Sequence, residues 1–252
     1  VKLLIMFMFN SNADDLDESI SNENKHQIVK TEELINHNRL ATLPFTELII
    51  GDTSLKLFHE FPNTYNSDLI PGTYEGGFKL WECTLDLLEY LRNNTSFCEE
   101  KSVLDLGCGT GLLGIFTLIS GAWKVDFQDF NKEVLINTTM NNVLLNSNES
   151  LEVCKYYSGD WESFSVFNED TYDLILTSET IYNVNNYKKL INLFEKKLKL
   201  SGSILLIAKN YYFGVGGSIT EFLNCLKSSK LNADVVWTST EGVKKTLLNI
   251  HF

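Results

Sequence analysis

"SVLDLGCGTGLLGIF", residues 102–116, decides how the chain folds. Ser102–Leu106 is a short apolar run with one acid, Asp105, near its end. Glycines then take alternate positions, Gly107, Gly109 and Gly111, and an apolar stretch starts at Leu112. A buried strand, a turn that needs positive φ, and a helix account for that order. The alternation continues outward. Strands are predicted at Lys124–Gln128, Leu151–Tyr157, Asp173–Thr177 and Ser203–Ala208, with helices at Glu133–Asn146, Tyr187–Leu198 and Ile219–Ser228. Strands separated by helices predict a doubly wound α/β fold around a mostly parallel, seven-stranded sheet. The last two strands, Asp234–Trp237 and Thr246–Phe252, have no helix between them and predict an antiparallel hairpin at one edge.

Upstream, "LWECTLDLLEYLRNN" (residues 80–94) reads as a helix with Trp81, Leu85, Leu88 and Leu91 facing the core. "TELIIGDTSLKLFHEF" (residues 46–61) reads as a hairpin of short strands around Gly51-Asp52. Residues 10–38 are acidic and poor in aromatics, as in a disordered arm. The opening "VKLLIMFMF" is too short for a bilayer, which takes about 20 residues, and reads as a short strand or stray sequence rather than a secretory leader. The expected organisation is an arm over 1–39, an extension with the hairpin over 40–77, and an α/β domain over 78–252.

The formal net charge of −12, from 33 acidic and 21 basic residues, argues against a nucleic-acid backbone as main partner and is compatible with a basic protein. Five widely spaced cysteines without a C-x-x-C suggest neither a disulfide frame nor a zinc site, and fit a reducing compartment. The four histidines form no ligand-spaced cluster, so no metal is expected.

Gly109-x-Gly111-x-x-Gly114 matches the dinucleotide fingerprint, which keeps an NAD-dependent oxidoreductase in play. Asp105 speaks against it, because a carboxylate facing a diphosphate costs Coulomb energy. It would suit a ligand end carrying an ammonium, or a loop fixed by its own amides; S-adenosylmethionine carries an ammonium and a sulfonium but no phosphate. The next strand ends in acids. Asp129, at its carboxyl end, is the stronger candidate for the ribose hydroxyls, and Asp126, inside the strand, is the competitor. After the third strand comes Gly159-Asp160-Trp161, where Asp160 can accept from an adenine amino group and Trp161 can cover the ring; a plain turn with a half-buried Trp is the alternative.

"DLGCGTG", the acids after the following strand and the acid before the fourth strand resemble the class I, seven-strand S-adenosylmethionine-dependent methyltransferases. "IPGTYEGGFKLWECTLDLLEYL" (70–91), "FQDFN" (127–131), "SGDW" (158–161), "YDLILTSETIYN" (172–183) and "YYFGVGG" (211–217) together resemble the eukaryotic protein-histidine N-methyltransferases, whose member acts on a large-subunit ribosomal protein. The resemblance implies that Leu80, Trp81, Glu82, Cys83 and Thr84 line the cofactor, and that Gly107, Gly109 and Gly111 pass under its methionine end. It also implies that Asp129, Phe130 and Asn131 meet the ribose, Gly159, Asp160 and Trp161 the adenine, and that Thr177 and Ser178 stand near the sulfonium. Asp160 departs mildly, at a position where family members also carry Glu. The implied substrate is a basic ribosomal protein, met by a monomeric enzyme of the cytoplasm and nucleus, with no membrane.

Methyl transfer needs positioning: the nucleophile about 3–3.5 Å from the methyl carbon and in line with the sulfur. A neutral imidazole, with pKa about 6.5, already offers a lone pair, whereas a lysine at about 10.4 must first lose a proton. The imidazole then needs an acceptor for its other N–H. Glu179, Tyr182 and Asn183, in the loop after the fourth strand, are the candidates, with a purely structural role as the alternative. The aromatics of "NYYFGVGG" either grip a peptide or merely flank a turn, and Cys108 reads as a small packed residue. A lysine methyltransferase and a cofactor-binding scaffold without turnover are the other functional readings.

Overall fold

The computed structural model describes residues 28–36, 43–58, 67–167 and 169–252. β1 (Glu32–Leu34) comes first; β2 (Phe45–Ile50) and β3 (Thr53–Phe58) then pair around Gly51-Asp52 as predicted. α1 (Glu82–Arg92) leads to β4 (Ser102–Leu106), α2 (Leu112–Ile119) and β5 (Lys124–Asp129). α3 (Lys132–Val134) and α4 (Met140–Asn146) follow, then β6 (Cys154–Ser158) and α5 (Trp161–Phe164). β7 (Tyr172–Ser178), α6 (Tyr187–Lys197), β8 (Leu198–Lys209), α7 (Ile219–Leu226), β9 (Asn232–Thr238) and β10 (Lys245–His251) complete the chain.

Eight strands form one sheet in the order β1-β6-β5-β4-β7-β8-β10-β9. β6, β5, β4, β7 and β8 are parallel; β10 runs antiparallel to both β8 and β9. The closing hairpin therefore sits with its second strand inside the sheet and its first at the edge. The chain steps outward from β4 in both directions, so the switch point, where ligands of such sheets lie, falls beside β4. All five residues of β4 are buried, as expected of a parallel strand covered on both faces. One face packs against α1, α2 and α4 through Leu87, Leu113, Phe116 and Val143. The other packs against α5, α6 and α7 through Phe164, Leu190, Phe194 and Phe222.

β1 corrects the reading of residues 1–39 as a disordered arm. Glu32, Glu33 and Leu34 pair antiparallel with Ser158, Tyr157 and Tyr156, covering the open edge of β6. Composition cannot reveal a vacant sheet edge waiting for a polar strand. The rest of that arm, including the opening apolar residues, lies outside the described residues. Trp81 also departs from expectation: it caps α1 and is half-buried, while Cys83, Leu87, Leu88 and Leu91 take the core positions. Between α3 and α4, Leu135–Thr139 wind as a π-turn that places the Thr139 hydroxyl on the Gly109 carbonyl, donating at 2.7 Å.

Asp105 is wholly buried beneath the glycine loop, where its Oδ2 accepts the Gly114 N–H at 2.9 Å. Burial, with the Asp129 carboxylate nearby, pushes it from an ordinary 3.8 to about 8. Of the two expectations for Asp105, the structure matches the loop held by its own amides, and the residue does not line the cavity, against its expected place among the cofactor-binding residues. It braces the start of α2 from below, and burial favours its protonated form. Gly114 itself lies against β5: a Cβ there would stand 2.4 Å from Phe127 and 2.9 Å from Val125. Gly114→Ala is expected to lower the unfolding free energy by about 1–3 kcal/mol, read by urea denaturation, because the sheet leaves no room for the methyl group. The raised Asp105 means that the folded chain keeps a proton the unfolded chain has released between the two values, so stability falls as pH rises through that window. Asp105→Asn is expected to be more stable than wild type at about pH 9, with the gap closing toward about pH 4. A pH series of melting temperatures in which the two curves run parallel would refute this.

Candidate active site

One cavity of about 1090 Å³ opens at the carboxyl ends of β4, β5, β6, β7 and β8. Its floor is the glycine loop. Gly107 and Gly109 line it at φ +64° and +51°, and Gly111, at +75°, lies beneath as the residue that starts α2. A Cβ on Gly109 would come within 3.0 Å of the Gly77 carbonyl, so only glycine lets the two loops meet there. Asp129 ties this floor together. Its Oδ2 accepts from Gly109 N–H and its Oδ1 from Asn131 N–H, each at 3.0 Å. Burial pushes it up to about 6, despite the backbone hydrogen bonds that pull it down. The Phe130 N–H adds to this set, and the Asp129 side chain lines the cavity. Asp126, by contrast, is held away from the cavity by Lys124 at 3.1 Å and by the Tyr172 hydroxyl at 2.8 Å.

Phe130 lines the cavity beside Asp129, but Asn131 does not. The Asn131 amide donates to Thr73 O at 2.8 Å and accepts from Glu75 N–H at 2.9 Å, so it fastens the "PGTYEGG" loop. At the far end, Gly159, Asp160 and Trp161 line the wall together with Ile28, Val29 and Lys30. Asp160 caps α5 by accepting Glu162 N–H at 2.8 Å, and pairs with Lys189 at 2.9 Å. The Trp161 ring is oriented by Nε1–H donation to Gln128 at 3.1 Å.

The block over 80–84 divides. Trp81 and Thr84 face the cavity; Leu80 packs on the core, Glu82 is exposed near Lys245, and Cys83 is buried behind the wall. Helical geometry turns successive residues about 100° apart, so five in a row cannot share one face. Trp81 Nε1–H donates to Gly76 O at 3.0 Å, and the ammonium groups of Lys79 and Lys209 stand 4.8 and 5.6 Å from its ring. Strand alternation makes the same division at the end of β7: Ser178 lines the cavity and accepts from the Thr84 hydroxyl at 3.2 Å, while Thr177 is buried on Thr180.

Glu179 follows at φ +60°, one of two described non-glycine residues with positive φ. It lines the cavity yet is only 7% exposed. Its Oε2 accepts the Tyr212 hydroxyl at 2.5 Å. Its Oε1 receives no hydrogen bond and has the Lys209 ammonium at 3.6 Å. Tyr182 stands opposite, its hydroxyl donating to Glu75 and its ring edge-on to Tyr212, with centroids 6.4 Å apart. Asn183 also lines the cavity, but its side chain closes a local turn by accepting Asn185 N–H at 3.0 Å. Sequence reasoning missed Glu75, Lys79 and Lys209, and held Tyr212 only as one of the aromatics of "NYYFGVGG". Glu75 and Tyr212 lie in the two glycine-rich stretches already singled out, but spacing alone does not say which of their side chains turn inward. Among the described residues no group of three or more His, Cys, Asp or Glu is placed to hold a metal ion, and no helix is long and apolar enough to cross a membrane.

Residues 72–228 match the family described as Lysine methyltransferase. The chain is 48% identical over 162 residues to the Histidine protein methyltransferase 1 homolog of Dictyostelium discoideum, covering 64% of this chain and 52% of that one. It is 35% identical over 282 residues to the homolog of Rattus norvegicus, covering 95% and 77%. It spans between half and three-fifths of the length of the first relatives it matches. The solved structure of SMU.776, complexed with SAH, superposes with TM-score 0.58 at 13% identity, covering 82% of this chain and 56% of that one. That likeness speaks for the fold, and the glycine floor with Asp129 beside it at the carboxyl end of β5 fits a cofactor of the same kind. The chain belongs to the histidine protein methyltransferase 1 family, within the S-adenosylmethionine-dependent methyltransferases of class I fold.

Proposed function

We propose that the protein transfers a methyl group to an imidazole nitrogen of a histidine in a basic protein substrate, a large-subunit ribosomal protein by the motif resemblance. The observation that carries this reading is Glu179: a buried carboxylate in a left-handed conformation on the cavity wall, its Oε1 receiving no hydrogen bond and standing 3.6 Å from the Lys209 ammonium. A left-handed non-glycine residue costs about 1–2 kcal/mol and persists only where its surroundings hold it. Here Tyr212 and the Glu179 N–H bond to Ile207 O at 3.0 Å hold it. Oε1 lies within ion-pair range of Lys209 but takes no hydrogen bond, so it can accept one where the side chain turns toward the cavity. An imidazole N–H satisfies it, and the opposite ring nitrogen then turns its lone pair outward. No base is required.

S-adenosylmethionine, when bound, supplies an electrophilic methyl group on a sulfonium. Asp129 is the proposed acceptor for its ribose hydroxyls. Gly107 and Gly109 would bed its methionine end, Asp160 and Trp161 its adenine, with Thr84 and Ser178 beside the reactive carbon. Tyr182, steadied by Glu75, and Tyr212 wall the acceptor side and keep water from it. The net charge of −12 supports a basic substrate, and five free cysteines support a reducing compartment, cytoplasmic or nuclear. A lysine acceptor is the second reading, favoured by the description of the matching family. It asks an ammonium to shed its proton beside Glu179, a carboxylate that favours the charged form.

Incubation with tritiated S-adenosylmethionine and ribosomal proteins, followed by residue-level mass spectrometry, is expected to place the label on histidine. Label on lysine alone selects the second reading, and cofactor binding without transfer to any extract makes the protein a scaffold. Asp129→Ala is expected to weaken cofactor binding by about 1–3 kcal/mol by calorimetry, whereas Asp126→Ala should loosen the fold and leave that affinity unchanged. Glu179→Gln is expected to cut kcat/KM by about 10–100-fold with little change in cofactor affinity; equal losses would make Glu179 a scaffold residue.

A further inference from the structure

We infer that the loop Tyr211–Gly217 is the docking face for the substrate chain, and that it takes an apolar side chain lying within a few residues of the target histidine. This rests on the histidine reading above and names the class of segment that enters the site. Phe213 is 89% exposed and Val215 43%, yet both line the cavity mouth. Tyr211 lies against Phe213, ring centroids 4.9 Å apart, so the apolar surface continues outward from the mouth.

This exposure is not that of a loose loop. Tyr212 N–H donates to Gly217 O at 2.8 Å, Gly216 N–H to Tyr212 O at 3.0 Å and Gly217 N–H to Tyr182 O at 2.9 Å. A bridge between Tyr211 and Ser218 closes the base. Gly214 and Gly216 take φ of +83° and +86° with nothing within 4 Å of a would-be Cβ, so backbone conformation rather than crowding asks for glycine. The turn drives Tyr212 inward to Glu179 and its neighbour Phe213 outward. A rigid turn that holds an aromatic ring in water beside a reactive cavity is built for a partner rather than for its own packing. Because Phe213 adjoins the residue that touches Glu179, a chain whose histidine reaches Glu179 passes Phe213 within about four extended residues. The net charge of −12 selects against an acidic segment.

The test uses synthetic histidine peptides of Gly and Ser, carrying a single Leu, Phe or Asp at successive positions on either side of the histidine. Wild type is expected to methylate the Leu and Phe peptides with KM about tenfold below the all-polar peptide at one or two positions, and the Asp peptides worst. Phe213→Ser and Val215→Ser should each erase that preference and leave the cofactor Kd and the urea midpoint unchanged. Wild type that methylates no histidine peptide overturns the histidine reading itself. Wild type indifferent to the neighbour, or a Phe213→Ser variant with the wild-type preference intact, overturns the docking face and leaves the histidine reading standing.

Discussion

Asp129 holds two loops with one carboxylate. By accepting the N–H groups of Gly109 and Asn131, it fixes the glycine floor to the turn after β5. Asn131 passes the constraint on, its amide clamping Thr73 O and Glu75 N–H, and Glu75 receives the Tyr182 hydroxyl. A single hydrogen-bonded path therefore runs from the proposed ribose site to the wall proposed to face the substrate. A buried acid raised to about 6 is costly, and the backbone N–H groups it satisfies offset that cost.

Two tyrosine–glutamate pairs shape the acceptor side, and they differ in kind. Glu75 sits on a loop and steadies Tyr182; Glu179 sits in a strained conformation at the end of β7, with one oxygen near the Lys209 ammonium and without a hydrogen bond. Strain together with an unsatisfied buried acceptor marks the place where packing has been subordinated to a ligand. The same turn that brings Tyr212 to Glu179 carries Phe213 into solvent, so acceptor chemistry and proposed substrate docking are two sides of one loop.

Much of the architecture follows from local pattern. Ser102–Leu106 and Leu112 onward were legible because an apolar run, three positive-φ glycines and a helix start leave no competing interpretation. Asp129 was legible because acids at strand ends face the crevice of an open sheet. Asp105 was not, since a strand residue one position along points to the other side, and sequence alone does not say whether its carboxyl meets a ligand or a helix N–H. β1 was hidden by its polarity, for a three-residue edge strand earns its place from the neighbour it covers. Leu80, Glu82 and Cys83 were carried along with Trp81 and Thr84 by motif continuity, which a helix does not respect.

The sequence by itself determined the order of elements, the parallel sheet, the glycine turn and the position of the ligand-facing mouth. These depend on hydrophobic period and on φ freedom, both local properties. Only the tertiary structure decided which carboxylates face the cavity and which brace the fold, and that Glu75, Tyr182, Glu179 and Tyr212 converge there. Those four come from three separate loops, and the meeting of side chains far apart in the chain is set by packing distance, which no spacing in the sequence encodes.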